Sequence, residues 1–510
     1  MSTVTVAMED RLLLLSADNL VSLRVLAQAY QRLLADHHRL PGTLLDICFT
    51  ASVSQSPKNF RLAVVGKSAT ELAENLTAFL QGEISSAVAT GNKNPAGLPK
   101  LVFVFPGQGP QWWAMGRELL TQQPIFFDTI KQCDELIRKQ AGWSLLTELT
   151  ASENESRIDT TFEISQPTLV AFQIALVELW RSWGIVPDAV IGHSMGEVSA
   201  AYTAGILSLA DAIKVILHQG RLLQRTAGQG KMAAVEMPVR ELEQLLVGYQ
   251  DRLSIAAINS PMATVLSGEA AALEEFTSKL PQKGCRCHSL HTTGVAGHSI
   301  QMQPLKAELT CILQGLQPRS AAIPIVSTVT GEFANGEEFN AEYWGRNIRE
   351  PVNFATAIDK LAHTNAQIFL ELSPHPVLAL PISQCLRTHQ QEPILLASLQ
   401  RGEAEQKVIL GSLGTLFTLG FNIDWTRLYP NGGELISLPL DALKDIEIDK
   451  QIESKPEFRR HLEAALPTQR YTMLFNHIQD QVTKVLRLSR ADMLEATRSF
   501  FEMGMSSLKS

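Results

Sequence analysis

Residues 188–206 constrain this chain more than any other stretch. An apolar run, Asp188-Ala-Val-Ile, passes through Gly192-His-Ser-Met-Gly into Glu197-Val-Ser-Ala-Ala-Tyr-Thr-Ala-Gly-Ile. The pattern reads as a short strand, a turn and a helix with an Ala-rich face. The turn fits the G-x-S-x-G nucleophile elbow, which holds its serine in a strained conformation. Glycines at 192 and 196 suit it, because neighbouring backbone must approach where a Cβ would otherwise stand. The motif predicts an α/β fold and a nucleophilic Ser194.

A nucleophilic serine needs a base, a partner that orients the base, and donors for the oxyanion. The N–H of Met195, next after the nucleophile, is one expected donor, and the second usually comes from a Gly-rich loop after an earlier strand. Lys100-Leu-Val-Phe-Val-Phe is an apolar strand that stops at Pro106-Gly-Gln-Gly-Pro, so the Gln108 N–H is expected to be that second donor. Among twelve histidines, His193 adjoins the nucleophile and should point away across so sharp a turn, to a structural or leaving-group contact. His298, in Gly294-Val-Ala-Gly-His-Ser, lies where the chain re-enters the main sheet and is the candidate base, whereas His218 and His375 read as structural. No carboxylate completes a Ser-His-Asp order. The elbow by itself is compatible with any esterase-like hydrolase.

A length of 510 residues allows roughly three or four domains, and the apolar content provides ample core. The net charge of −8, with no Arg/Lys cluster interleaved with aromatics, argues against a nucleic-acid partner. The only close cysteine pair, Cys285 and Cys287, matches neither a zinc knuckle nor a redox C-x-x-C, so reduced thiols and no metal are expected. The four-leucine run near the N-terminus is too short for a signal sequence and no stretch of 18 apolar residues follows. The expectation is a soluble cytoplasmic protein with no membrane role.

Helical spacing over 10–40, a strand at 61–66 and a helix at 69–79 make a small α/β unit, placed at 1–95, that ends in the linker-like Gly91-Asn-Lys-Asn-Pro-Ala-Gly. From 229 to 297, strands at 232–236, 253–258 and 264–266 alternate with helices at 239–247 and 270–279, as in a compact βαβ-type insertion. Ile368-Phe-Leu-Glu-Leu is a last apolar strand. Residues 400–450 read as a mixed connector, 455–470 as a second linker and 473–488 as an amphipathic helix.

Phe105-Pro-Gly-Gln-Gly, Gly192-His-Ser-Met-Gly-Glu, Ala257-Ile-Asn-Ser-Pro, Val295-Ala-Gly-His, Tyr343-Trp and Phe369-Leu-Glu-Leu-Ser-Pro-His-Pro-Val-Leu occur in this order. Together they resemble the acyltransferase domain of modular type I polyketide synthases, over residues from about 10 to 430. The resemblance implies an α/β-hydrolase-like large subdomain (100–228 and 298–390), an inserted ferredoxin-like small subdomain (229–297), a preceding ketosynthase–acyltransferase-type linker domain and a following linker at 391–450. It also implies a ping-pong cycle. Ser194 takes an acyl group from acyl-CoA and passes it to the phosphopantetheine thiol of an acyl carrier protein. His298 acts as base and then as acid, oriented by a backbone carbonyl. Asn259 and His193 would lie near the pantetheine arm or leaving group, and Val295 and Gly297 beside the acyl group.

Two departures from the family pattern bear on the substrate. Extender-loading relatives carry an arginine 25 residues after the serine, which pairs with the free carboxylate of malonyl-type substrates, and here that position is Gln219. Glutamine offers a neutral hydrogen bond in place of a charged fork, and Arg221 lies about 200° around the helix. Position 297, usually a bulky Phe in malonyl-selective relatives, is Gly. The expected substrate is therefore an uncharged short or branched starter unit, with an extender acyltransferase or an inactive scaffold as the alternatives. Met1 opens almost directly into the linker domain, as in a loading module that feeds a downstream ketosynthase module. Phe500-Phe-Glu-Met-Gly-Met-Ser-Ser-Leu resembles the start of a carrier-protein helix, with Ser507 at the phosphopantetheine attachment position and 470–510 as a truncated carrier.

Overall fold

The computed structural model describes residues 9–36, 40–53, 57–93, 97–281, 284–290, 294–429 and 432–438. The predicted linker at 455–470, the predicted helix at 473–488 and Ser507 lie outside the described residues.

The chain opens with an antiparallel sheet of β1 (Arg11–Ala17), β2 (Phe60–Gly66) and β3 (Val88–Asn92). The four-leucine run is β1, which the helical reading of 10–40 missed: only Leu20–Ala35 is helical there. Its leucines alternate faces. Leu13 and Leu15 meet the helices Leu20–Ala35 and Ala69–Gln81, while Leu12 and Leu14 join the main core. A strand buried on both faces is a continuous apolar run without the alternation that marks a strand in sequence.

The second face of this sheet is covered by a helix, Glu405–Leu419, inside the region read as a connector. Gly91, read as the start of a linker, lies in β3 against this helix, where a Cβ would stand 2.7 Å from the Thr418 carbonyl oxygen. The helix also ties itself to the first turn of helix Arg117–Gln122. The Glu405 carboxylate accepts from the N–H groups of Gly116, Glu118 and Leu119, and the Glu118 carboxylate accepts from those of Glu405 at 2.9 Å and Gln406 at 3.3 Å. Glu405→Ala leaves three donors, two of them buried, without this acceptor and should lower unfolding free energy by about 1–3 kcal/mol, measured by urea denaturation. An unchanged midpoint would mean that the paired caps contribute nothing.

Strands β4 (Lys100–Phe105) and β5 (Ala189–Gly192) begin the main sheet. The chain then leaves it for β6 (Gly230–Val235), β7 (Leu253–Ser260), β8 (Ala263–Glu269) and β9 (Cys287–Leu290), an antiparallel sheet in the order β7-β8-β6-β9. With helices Val239–Leu245 after β6 and Ala270–Ser278 after β8, this is the βαββαβ order of a ferredoxin-like unit, and its core of Val235, Leu242, Leu266 and Phe276 is its own. The chain returns as β10 (Ile325–Val326), β11 (Phe333–Ala334), β12 (Ala366–Glu371) and β13 (Ile394–Ala397). The main sheet runs β11-β10-β5-β4-β12-β13, parallel except for β11. Strand β13 carries this sheet past the expected boundary at residue 390.

Alternation along β4 builds both faces of the sheet. Leu101, Phe103 and Phe105 pack with helices Pro124–Ala141, Phe162–Ser182 and Leu209–Gln224, and Val102 and Val104 pack with Phe354–Ala362 and Ala379–Arg387. With both faces covered, side chains can meet a ligand only at the strand ends, and β4 and β5 end together there.

Candidate active site

Strand β5 stops at Gly192, and the helix Gly196–Thr203 begins four residues later. Ser194, between them, has φ of +54°, a left-handed conformation that strains a side-chain-bearing residue. The neighbouring glycines permit the turn. A Cβ on Gly192 would stand 2.3 Å from the Glu197 nitrogen, and one on Gly196 would stand 2.1 Å from the Phe105 carbonyl oxygen.

Ser194 Oγ lies 2.7 Å from His298 Nε2, and His298 Nδ1 lies 2.8 Å from the Glu350 carbonyl oxygen. A carbonyl only accepts, so Nδ1 carries the ring proton and Nε2 is left to accept from Ser194 Oγ–H. The serine is thereby poised to lose its proton to a neutral imidazole. Burial drives the His298 pKa down to about 4, against the opposing pull of the Glu350 carbonyl, which favours the neutral base. His298 itself has φ of +58° and donates its backbone N–H to the Ile348 carbonyl. The residues 348–350 thus fix both ends of the histidine.

Met195 is the residue before the helix Gly196–Thr203, where the first N–H groups have no partner inside the helix and carry the positive end of its dipole. Gly107 faces Ser194 across the site, with its ideal Cβ position 3.3 Å from Ser194 Cβ, so Gln108, which follows it, comes from the adjacent end of β4. The buried Gln173 braces this loop, donating to the Pro106 carbonyl at 2.8 Å while accepting from Ser199 Oγ at 2.6 Å. Two backbone amides from two strand ends beside one serine would suit the oxyanion of an acyl-transfer intermediate.

A cavity of about 450 Å³ opens from Ser194 and His298, bounded by both the main and the ferredoxin-like units. Gln108, His193, Gln219, Asn259, Val295 and Gly297, singled out from sequence, all line it. His193 Nε2 pairs with Asn259 Oδ1 at 2.8 Å, which bridges the elbow to β7. Burial lowers the His193 pKa, the Asn259 contact opposing. At Gly297 a Cβ would meet nothing within 4 Å. Met195 is fully buried, and Arg221 and His218 do not line the cavity. His375 accepts the Arg401 N–H on Nδ1 at 3.3 Å.

Sequence reading missed the buried network under the elbow. The Glu197 carboxyl, fully buried, accepts from Thr328 N–H and Oγ1, from Tyr343 OH at 2.8 Å and from Asn347 Nδ2 at 2.8 Å. Burial raises its pKa while these donors oppose. Asn347 Nδ2 also donates to the Ser194 carbonyl at 3.2 Å, and Gln219 Nε2 donates to Asn347 Oδ1 at 3.3 Å. Tyr343-Trp and the Glu after the elbow were visible as motif residues, but nothing local marks Asn347. Asp359, His363 and His389 bring three donor atoms within 4.8 Å of one another, but none of them lines the Ser194 cavity. No described helix is long and apolar enough to cross a membrane.

The acyl transferase domain family matches residues 102–423, and a family described as CurL-like, PKS C-terminal matches residues 11–76. The polyketide synthase GfsA of Streptomyces halstedii is 36% identical over 393 residues, which are 76% of this chain and 5% of that protein. The chain thus spans a small part of the length of such relatives. The acyltransferase domain from module 8 of the salinomycin polyketide synthase superposes with a TM-score of 0.75 at 31% identity, covering 82% of this chain and 98% of that one. A loading acyltransferase from the avermectin modular polyketide synthase gives 0.59 at 34% identity, covering 62% and 99%. On this agreement of motif, site geometry and fold, the chain belongs to the acyl transferase domain family of modular polyketide synthases.

Proposed function

We propose that this chain takes an acyl group from acyl-CoA onto Ser194, passes it to the phosphopantetheine thiol of an acyl carrier protein, and selects an uncharged short or branched starter unit. In the first half, Ser194 Oγ gives its proton to His298 Nε2 and bonds to the thioester carbon. The C–S bond then breaks and the proton goes to the coenzyme A thiolate. In the second half the carrier thiol gives its proton to His298, its sulfur attacks the ester carbon, and Ser194 Oγ leaves with that proton. The Met195 and Gln108 amides hold each oxyanion. A downstream ketosynthase module would consume the carrier-bound product.

A module 8 domain and a loading acyltransferase share this fold, so selection has to be read from side chains. The reading rests on Gln219. It is 2% exposed, lines the cavity, and donates one of its two amide N–H groups to Asn347. What remains is a second N–H and the carbonyl Oε1, neither of which carries a charge. A malonyl carboxylate beside it would meet a neutral amide and no cation in a buried site, an arrangement costing several kcal/mol by the order of magnitude for unpaired buried charge. An uncharged acyl group has no such penalty.

The test is mass-shift loading of Ser194 with propionyl-, isobutyryl-, malonyl- and methylmalonyl-CoA. Propionyl or isobutyryl should load fastest and Ser194→Ala should not load at all. Preferential malonyl loading would overturn the selection, and absence of any Ser194 adduct would overturn the transferase reading. Open space at Gly297 gives a further expectation: Gly297→Phe should lower isobutyryl relative to acetyl loading about tenfold, the scale of one or two methylenes refused by a filled pocket. Equal ratios in both proteins would place the acyl branch elsewhere.

A further inference from the structure

Outside the Ser194 cavity, one group of three side chains able to ligate a metal comes together among the described residues: Asp359, His363 and His389. Asp359 and His363 lie four residues apart at the end of helix Phe354–Ala362 and share its face. His389 arrives from the turn after helix Ala379–Arg387, where its N–H donates to the Leu386 carbonyl. One carboxylate oxygen and one ring nitrogen from each histidine lie within 4.8 Å of one another. Both helices pack on the same face of the main sheet, so the backbone under this group is held while its side chains reach the surface.

The group is arranged as donors rather than as a closed ion pair. His363 Nδ1 lies 2.7 Å from the Asp359 carbonyl oxygen, which only accepts, so Nδ1 carries the ring proton and Nε2 keeps its lone pair. Fixing one ring nitrogen on a main-chain carbonyl is how ligating histidines are commonly oriented. The Asp359 carboxylate stands between both rings, with Oδ1 2.7 Å from His389 Nε2 and Oδ2 3.8 Å from His363 Nδ1. The side chain of His363 is 66% exposed, so its ring is free to turn onto an ion that the other two hold. Neighbouring groups are engaged elsewhere. Lys360 pairs with Glu332 at 2.8 Å, and the Cys385 thiol points to the Asn259 carbonyl at 3.6 Å. The donor set is two imidazoles and one carboxylate, which suits zinc, nickel or copper, whereas magnesium and calcium seek oxygen ligands alone.

We infer that Asp359, His363 and His389 form a binding site for a divalent transition-metal ion of the zinc class, with water completing the coordination. The ion replaces the proton that His389 Nε2 directs at Asp359. That proton moves to Nδ1 from a neutral ring, or to solvent from an imidazolium. None of the three residues lines the Ser194 cavity, so the ion acts as a staple between two helices and takes no part in acyl transfer. Helix Ala379–Arg387 follows directly on Leu378, which lines that cavity, and its Gln384 accepts from Ser260 of β7. The staple therefore holds the far end of an element that borders the acyl site.

The test titrates the metal-free full chain with Zn2+ against a chromophoric chelator, beside Asp359→Asn, His363→Ala and His389→Ala. Wild type should bind Zn2+ about tenfold or more tightly than each variant, since losing even a residue that only orients a ligand costs that much. Zn2+ should raise the wild-type Tm more than that of any variant, and Mg2+ should raise none of them. Without metal, all three variants should load Ser194 at the wild-type rate, which reports that they fold. His363→Ala alters the most exposed of the three side chains and carries the test by itself where another variant unfolds. Equal Zn2+ affinity in wild type and in the folded variants would overturn the site and leave the three residues as an ion-paired cluster. An affinity lost in only one of three folded variants would overturn this ligand set.

Discussion

Replacing His298 by alanine should lower the rate of Ser194 acylation by about 10²–10⁴-fold, the usual contribution of a positioned acid–base group. The variant loses the acceptor that lies 2.7 Å from Ser194 Oγ and the acid that protonates the departing thiolate. Because burial holds the imidazole pKa near about 4, well below its ordinary value, the pH profile has a definite sign. The active form is the neutral base, which persists in the folded protein from neutral pH down to roughly one unit above that value. Wild-type acylation should therefore stay level through the range where an ordinary histidine titrates, and fall only as pH drops through about 4. The same shift acts on stability. Between the two pKa values the unfolded chain binds a proton that the native site refuses, so stability declines as pH falls across that window. Single-turnover acylation from pH 4.5 to 8 checks the first statement, and a profile with its half-point near 6.5 would show that the site does not hold the imidazole neutral. His298→Ala should remove the acidic limb together with the rate.

Much of this site is local, and that part was legible in the sequence. Gly192-His-Ser-Met-Gly and Pro106-Gly-Gln-Gly are each a strand end and a turn, so their conformation is encoded where their chemistry is. The alternating short segments of 230–290 announced β6 to β8 and two helices within a few residues of their ends. What stayed hidden was nonlocal. The acceptor that orients His298 is a main-chain carbonyl, which has no residue type to look for, and only the path of the chain identifies it as that of Glu350. Asn347 matters because it stands between Ser194, Glu197 and Gln219, which are far from it in sequence. The helix Glu405–Leu419 carries two glycines and is buried around much of its circumference, so it lacks both strong propensity and a clean apolar stripe. Its role, closing the second face of the first sheet, is a property of the assembled chain.

The network under the elbow also makes the consequence of Gln219→Arg specific. A guanidinium has five N–H donors, so one can continue to serve Asn347 Oδ1 while the others present a fork to the acyl cavity. A neutral amide is replaced by a cation that pairs with a substrate carboxylate. A charge-assisted hydrogen bond contributes about 1.5–3 kcal/mol, so the malonyl-to-propionyl loading ratio should rise by about 10–100-fold. Gln219→Lys should give a smaller rise, because an ammonium supplies the charge without the planar two-point geometry. The comparison separates charge from shape: if arginine and lysine raise the ratio equally, the site responds to charge alone. If neither changes it, Gln219 does not face the position of the free carboxylate, and the uncharged substrate preference would have to come from elsewhere in the cavity. A rise with arginine that exceeds the rise with lysine would show that this one side chain sets the charge that the acyl cavity accepts.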